Sequence, residues 1–399
     1  MKAGPVKSLA EVAESVRYGY TASASDDIVG PHFLRITDIV PSQIDWGTVP
    51  YCEIDEKDKD RFSLAPGDIV IARTGATVGY AKLIRDNPDA VFASYLVRVR
   101  VNPKLADPGY VGRIVESDVY KKFVISRVGG AAQPNANAKV LSAFRLPIPA
   151  RETQVRIVDI LSAYDDLIEN NRRRIQLLEQ AARLLYKEWF VHLRFPGHEH
   201  TKIQNGIPEG WEKQPLNEIA STNVESYRAQ DLPAEINYID ISSVTQGQIT
   251  AKNALPSGQA PGRARRKAKS GDVIWSNVRP NLRAYALVLN PDENDVFSTG
   301  FTVLSPLDVP FTYLYMLVTT DEFVGYLVNH ATGVSYPAVR PDDFERSTVL
   351  VPSKQTLELF HEKIEPSFRL LWVLEKEIKF LAKARDLLLP CLMNGEISV

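Results

Sequence analysis

Two stretches of the chain replace short β-branched runs with a long helical period. From Arg151 to about Phe190, and again from Lys354 to about Met393, glycine is absent and apolar residues recur at helical spacing. In the first stretch Ile157, Leu161, Tyr164, Ile168, Asn171, Ile175, Leu178, Ala182, Leu185 and Trp189 follow alternating steps of four and three, the a/d spacing of a coiled-coil seam. Adding 203 to each gives Phe360, Ile364, Ser367, Leu371, Leu374, Ile378, Leu381, Arg385, Leu388 and Leu392. The second helix thus carries the same seam with polar interruptions. The simpler alternative is that each helix packs on its own globular domain. Pro366, inside the second pattern, predicts a kink or a delayed start.

The remaining segments repeat one another at nearly the same lag. Leu9-Ala10-Glu11-Val12-Ala13 is echoed by Leu216-Asn217-Glu218-Ile219-Ala220, and Gly67-Asp68-Ile69-Val70-Ile71 by Gly271-Asp272-Val273-Ile274-Trp275. Val91-Phe92-Ala93-Ser94 answers Val296-Phe297-Ser298-Thr299, and Leu146-Pro147-Ile148-Pro149 answers Val349-Leu350-Val351-Pro352. Their short β-branched runs, punctuated by turn residues, predict compact α+β domains. The expected organisation is a first domain over 1–150, a long helix over 151–193, a linker and second domain over 194–352, and a second long helix with a tail over 353–399. A helix of ~40 residues is ~60 Å long. If the second helix pairs along the shared seam it must run back, giving two similar globular domains separated by antiparallel helices with pseudo-two-fold symmetry. A centred register sets Tyr164 opposite Arg385, Ala182 opposite Ser367, and Asn171 opposite Ile378, with the tyrosine ring accommodating the guanidinium.

Composition narrows the partners. At 399 residues, 44% hydrophobic and 24% charged, the chain is a multidomain globular protein. Cys52 and Cys391 lie far apart, which argues against a disulfide framework or a CxxC zinc site and points to a reducing cytoplasm. No apolar run approaches the ~20 residues that span a bilayer, and the first residues lead into no signal-like apolar core, so no membrane partner is expected. The formal charge is −2. Lys+Arg against Asp+Glu is 19 to 17 over residues 1–150 and 12 to 16 over 211–350, so neither domain is basic as a whole. Contact with nucleic acid must come from local patches, and phosphate neutralisation from a companion subunit.

Such patches exist. Arg263, Arg265, Arg266, Lys267 and Lys269 put five cations into seven residues, and Asn277, Arg279, Asn281 and Arg283 follow. Arginine can bridge guanine O6 and N7, asparagine or glutamine can do the same for adenine, and lysine neutralises phosphate. In the first domain Arg73, Thr74, Arg127, Gln133, Asn135, Asn137 and Lys139 occupy comparable places, and Tyr336 and Arg340 complete the candidate double-stranded DNA contacts of the second. Residue by residue, the bland reading is a solvated surface. No catalytic constellation emerges. Gly75-Ala76-Thr77-Val78-Gly79 lacks the lysine of a phosphate loop and reads as a bend. Asn87-Pro88-Asp89 and Asn290-Pro291-Asp292 are not the Asn-Pro-Pro-aromatic string of amino-methyltransferases. His198-Glu199-His200 reads as exposed linker, and no metal is assigned.

Several phrases resemble the specificity (S) subunit of type I restriction-modification systems over essentially the whole chain. They are Pro147-Ile148-Pro149 leading to Glu152-Thr153-Gln154-Val155-Arg156-Ile157-Val158, Leu167-Ile168-Glu169-Asn170-Asn171-Arg172-Arg173-Arg174-Ile175, and Leu184-Leu185-Tyr186-Lys187-Glu188-Trp189-Phe190. Gly206-Ile207-Pro208-Glu209-Gly210-Trp211 resembles the start of that family's second target-recognition domain, and Leu388-Leu389-Pro390-Cys391-Leu392-Met393-Asn394-Gly395-Glu396-Ile397 its ending. The resemblance implies a non-catalytic subunit whose two target-recognition domains each read half of a split, asymmetric DNA target. It implies helices that set the spacing and dock two modification subunits, which bind S-adenosylmethionine and methylate adenine. Restriction subunits, translocases and nucleases using ATP and Mg, would complete the assembly, and this chain would hold no cofactor. A fused nuclease-methyltransferase partner and a stand-alone two-headed DNA-binding regulator or adaptor remain the alternatives.

Overall fold

A computed structural model describes residues 4–41, 43–86, 88–128, 134–393 and 396–397. The chain divides into two units, Met1–Asn170 with Glu377–Val399, and Asn171–Lys376, so that each long helix contributes to both.

In the first unit the strands are β1 (Val6–Ser8), β2 (Ala13–Tyr18), β3 (His32–Leu34), β4 (Asp68–Ala72), β5 (Ala81–Leu83), β6 (Ala90–Phe92), β7 (Leu96–Val101) and β8 (Arg145–Pro147). An antiparallel sheet runs β2-β7-β4-β5, β3 pairs with β6 in parallel, and β1 pairs with β8. Every residue of β4 is buried, as expected of a β-branched run covered on both faces. Helices α1 (Pro108–Val115), α2 (Asp118–Val128) and α3 (Ala138–Ser142) follow the sheet and lead to the first long helix, α4 (Arg151–Tyr186).

The second unit repeats this plan. Its strands are β9 (Glu212–Pro215), β10 (Ala220–Thr222), β11 (Glu235–Ile239), β12 (Asn253–Pro256), β13 (Ala264–Arg266), β14 (Val273–Ser276), β15 (Tyr285–Leu287), β16 (Asp295–Ser298), β17 (Phe301–Pro306) and β18 (Thr348–Val351). The order β10-β17-β14-β15 reproduces the first antiparallel sheet, the parallel pair β11-β16 reproduces β3-β6, and β9-β18 reproduces β1-β8. Helices α5 (Phe311–Val318), α6 (Asp321–His330) and α7 (Pro341–Glu345) precede the second long helix, α8 (Lys354–Met393).

The equivalence extends to backbone chemistry. Gly67 and Gly271 each turn into the central strand with φ of +91° and +96°. A Cβ there would stand 3.2 Å from Pro108 and 3.3 Å from Phe311, the first residues of α1 and α5. Left-handed backbone and close helix approach both demand glycine. The next residue closes the turn: Asp68 accepts from the Ala65 N–H at 3.0 Å, and Asp272 from the Lys269 N–H at 2.7 Å.

The long helices bury the predicted stripe. Ile157, Leu161, Ile168, Asn171, Ile175, Ala182 and Trp189 are buried on α4 or just beyond it, as are Phe360, Ile364, Leu371, Leu374 and Leu392 on α8. Tyr164, Leu178, Ile378, Leu381, Arg385 and Leu388 are half-buried. At two places the neighbour takes over: Leu185 and Ser367 are half-buried, while Tyr186 and Phe368 are buried. A helix of 3.6 residues per turn drifts against a 3.5-residue repeat, which moves the buried line one residue onward. A π-helical turn over Lys187–Val191 then brings both Trp189 and Phe190 inward.

In the first unit Ile157 and Leu161 share a core with Leu388, Leu389, Leu392 and Met393, and Asp165 meets Arg385, so the two helices run antiparallel there. Asp165, not the Tyr164 ring, is the partner of Arg385, with Nη1 donating to Oδ1 at 2.6 Å. Arg113 Nη1 donates to the other oxygen at 2.7 Å and its Nη2 to Ser162 at 2.8 Å. Burial pushes the Asp165 carboxyl up, but these two guanidinium groups outweigh it and hold the group below the usual carboxylate range. The seam tolerates an arginine because a carboxylate beside it meets the charge. In the second unit the helices close on rings instead, with Phe360 4.8 Å from Phe190 and 5.7 Å from Trp189, and Phe190 5.8 Å from Trp211. Pro366 neither delays nor interrupts α8, which begins twelve residues earlier at Lys354. Pro366 and Glu362 are exposed, so the carbonyl that loses its partner faces water.

Candidate nucleic-acid interface

In each unit the segment leaving the central strand lies against the segment that precedes the last short helix, in the same register. The Ala136 N–H donates to Arg73 O at 2.8 Å, and the Val339 N–H to Asn277 O at 2.9 Å. Thr74 bridges Asn135, and Val278 bridges Ala338. The Gly75 N–H donates to Pro134 O at 3.0 Å, and the Arg279 N–H to Pro337 O at 2.7 Å. Asn137 and Arg340 stand at the N-caps of α3 and α7, with Asn137 Oδ1 accepting from the Val140 N–H at 2.9 Å. Apart from the shared Pro134 and Pro337, side chains at the matched positions differ: Arg73 against Asn277, Thr74 against Val278, Gly75 against Arg279, Asn135 against Ala338, Asn137 against Arg340.

Each platform carries an arginine over a tyrosine. Arg73 lies 4.8 Å from the Tyr18 ring centre and its Nη2 donates to Asn135 at 3.3 Å. The Tyr18 hydroxyl accepts the Ala138 N–H at 2.9 Å, fixing the ring against the second segment. Arg279 lies 4.7 Å from the Tyr336 ring centre, and its Nη2 donates to Ser335 O at 3.2 Å. Tyr336 is 70% exposed. Arg279 and Arg283 flank a short turn at Pro280–Leu282 with φ of +52° and +54°. A residue with a Cβ costs roughly 1 kcal/mol in that region, and such strain gathers at functional sites.

The other predicted residues are placed in different surroundings. Asn135, Asn137 and Lys139 are exposed along one platform edge, and Asn281 on the turn between the two left-handed arginines. Arg283 pairs with Asp321 at 2.6 Å, and Arg127 is exposed over Phe123 of its own helix at 5.3 Å. Gln133 lies outside the described residues. The basic run belongs partly to the sheet: Arg265 and Arg266 are in β13, Arg266 donating to Ser226 at 3.0 Å. Lys267 lies 4.2 Å from the Tyr227 ring centre and 3.8 Å from Glu225, and Lys269 pairs with Glu225. One carboxylate thus faces two of the five cations that made this run prominent. The run still adjoins the platform, since the Thr299 N–H donates to Arg263 O and the Asn277 N–H to Gly300 O, both at 2.8 Å. Sequence reasoning missed Tyr18, the aromatic end of an otherwise ordinary strand.

Among the described residues no three His, Cys, Asp or Glu side chains stand together as a metal site, and no helix is long and apolar enough to cross a membrane. His198 bonds Phe195 O at 2.8 Å and its neighbours Glu199 and His200 are exposed.

Residues 6–180 match the family described as the type I restriction modification DNA specificity domain. Over that stretch the chain is similar to the type I specificity subunits. The type I restriction enzyme MjaIX specificity subunit of Methanocaldococcus jannaschii is 23% identical over 344 residues, covering 84% of this chain and 78% of that protein. The type I restriction enzyme HindI specificity subunit of Haemophilus influenzae is 20% identical over 462 residues, covering 98% of both. The crystal structure of the type I restriction-modification S subunit from M. genitalium superposes with a TM-score of 0.57 at 14% identity, over 98% of this chain and 96% of that one, which establishes the shared fold. The family match ends at residue 180, and the repeated strand order carries the same plan through the second unit.

Proposed function

We propose that this chain is the non-catalytic DNA-reading subunit of a type I restriction-modification complex, its two globular domains each reading one half of an asymmetric double-stranded target. The observation that carries the reading is the pair of register-matched platforms. One backbone frame, used twice with different polar side chains, suits two different half-sites better than two copies of one site. The helices, paired as a coiled coil, set the spacing between halves.

Two modification subunits dock on the helices and bring S-adenosylmethionine; restriction subunits bring ATP and Mg. Support for two equal partners comes from apolar side chains left outside the seam. Leu177 and Leu184 on α4, and Phe380 and Leu387 on α8, are each more than half exposed, and the pairs correspond at the 203-residue lag of the repeat. Isolated exposed apolar residues are ordinary, but the same two at the same places on both helices point to one partner bound twice. Leu387→Ser with Phe380→Ser should reduce a co-purified modification subunit from two copies to one by native mass spectrometry; two copies retained would remove the stripe from the reading. Methylome sequencing of a host carrying the complete system should return one split motif with a fixed gap. A continuous motif, or a chain that binds its site specifically with no modification partner, would favour a stand-alone regulator.

A further inference from the structure

We propose that the two-loop platform is the base-reading surface of each domain, and that Arg279, held on Tyr336, fixes a guanine in the half-site of the second. The inference rests on the DNA-reading function above and assigns its specificity to a place and a residue.

Three observations converge on Arg279. Its backbone is anchored to Pro337 by the same hydrogen bond that anchors Gly75 to Pro134, so the position belongs to the shared frame. Both backbones are left-handed there, with φ of +76° at Gly75 and +52° at Arg279. Glycine is the undemanding choice for such a site. The second domain nevertheless carries a long cation. Its guanidinium carbon stands 4.7 Å from the centre of an exposed ring and Nη2 is tied to Ser335 O at 3.2 Å, two contacts that restrict a five-donor planar fork before any ligand arrives. A planar fork pre-set at an exposed edge matches the O6 and N7 acceptors that guanine presents in the major groove, whereas a phosphate contact needs no fixed plane. The first domain reaches a similar end from other positions, with Arg73 on Tyr18 and Gly75 where Arg279 stands, so the two platforms present different donors on one frame.

The position itself supplies the test, because Arg279→Gly suits the left-handed backbone and reproduces the first domain's residue. Selection from a randomised duplex library by the full chain together with its modification subunits, followed by sequencing, reads both half-sites at once. For wild type a split motif is expected. Arg279→Gly and Arg279→Lys should each lose about 10- to 100-fold preference at one G·C pair of one half-site and leave the other half unchanged. Tyr336→Ala should weaken the same pair, with thermal melting of all variants near wild type. A uniform loss at every sequence would make Arg279 a phosphate contact and overturn the assignment, as would an unchanged motif in Arg279→Gly. A wild-type complex that enriches no motif would instead defeat the DNA-reading function itself.

Discussion

Two aspartates show how one residue type behaves oppositely in one protein. Asp165 has two guanidinium groups hydrogen-bonded to it, with that of Arg85 3.7 Å away, and titrates below its ordinary value, whereas Asp272 is raised by burial in the turn before β14. The equivalent Asp68 is gripped by Arg100 through two 2.7 Å bonds, and no arginine stands in the matching place of β17. The stabilisation from Asp165 is complete above the unfolded carboxyl value of about 3.9 and is lost as pH falls through its lower folded value. For Asp272 the folded state binds the proton more tightly, so its contribution is present below about 3.9 and declines as pH rises through the raised value. Urea midpoints of Asp165→Asn and Asp272→Asn against pH separate the two. Asp165→Asn should lose about 2 to 5 kcal/mol at neutral pH, because the buried Arg113 is left without its carboxylate while Arg385 keeps only Asp386. Asp272→Asn should flatten the decline on the alkaline side of pH 4, and a curve parallel to wild type there would contradict the assignment.

At the scale of elements, the long helices were legible because amphipathic periodicity is a local property repeated many times. The exact buried line was not, since Tyr186 and Phe368 displace Leu185 and Ser367 through helical drift and ring packing. The start of the second helix was not delayed by Pro366, for the opposite reason: proline propensity is local, but an exposed carbonyl in a 40-residue packed helix is satisfied by water. Pro366→Ala should therefore raise stability by about 1 to 3 kcal/mol in chemical denaturation, with no change in helix content. Phe360, fully buried among Tyr186, Trp189 and Phe190, lies at the other extreme. Phe360→Ala should destabilise the second unit by about 3 to 5 kcal/mol, read as an early unfolding transition.

At the scale of the molecule, the proposed ruler gives a length prediction. Seven residues inserted in register into both helices add about 10 Å of rise, or ~3 base pairs, while preserving the seam. The methylated motif should keep both halves and widen its gap accordingly; an unchanged gap would show that the helices do not set it.

Sequence alone determined the duplication and the long helices, because each is written in local pattern or in repeated order. Which cations are exposed and which are neutralised was decided by tertiary structure. Glu225 lies about forty residues from Lys267 and Lys269 in sequence yet offsets them, and Tyr18 lies more than fifty from the Arg73 it carries. Pairings between distant loops depend on how the strands order themselves, and side-chain composition does not encode that order position by position.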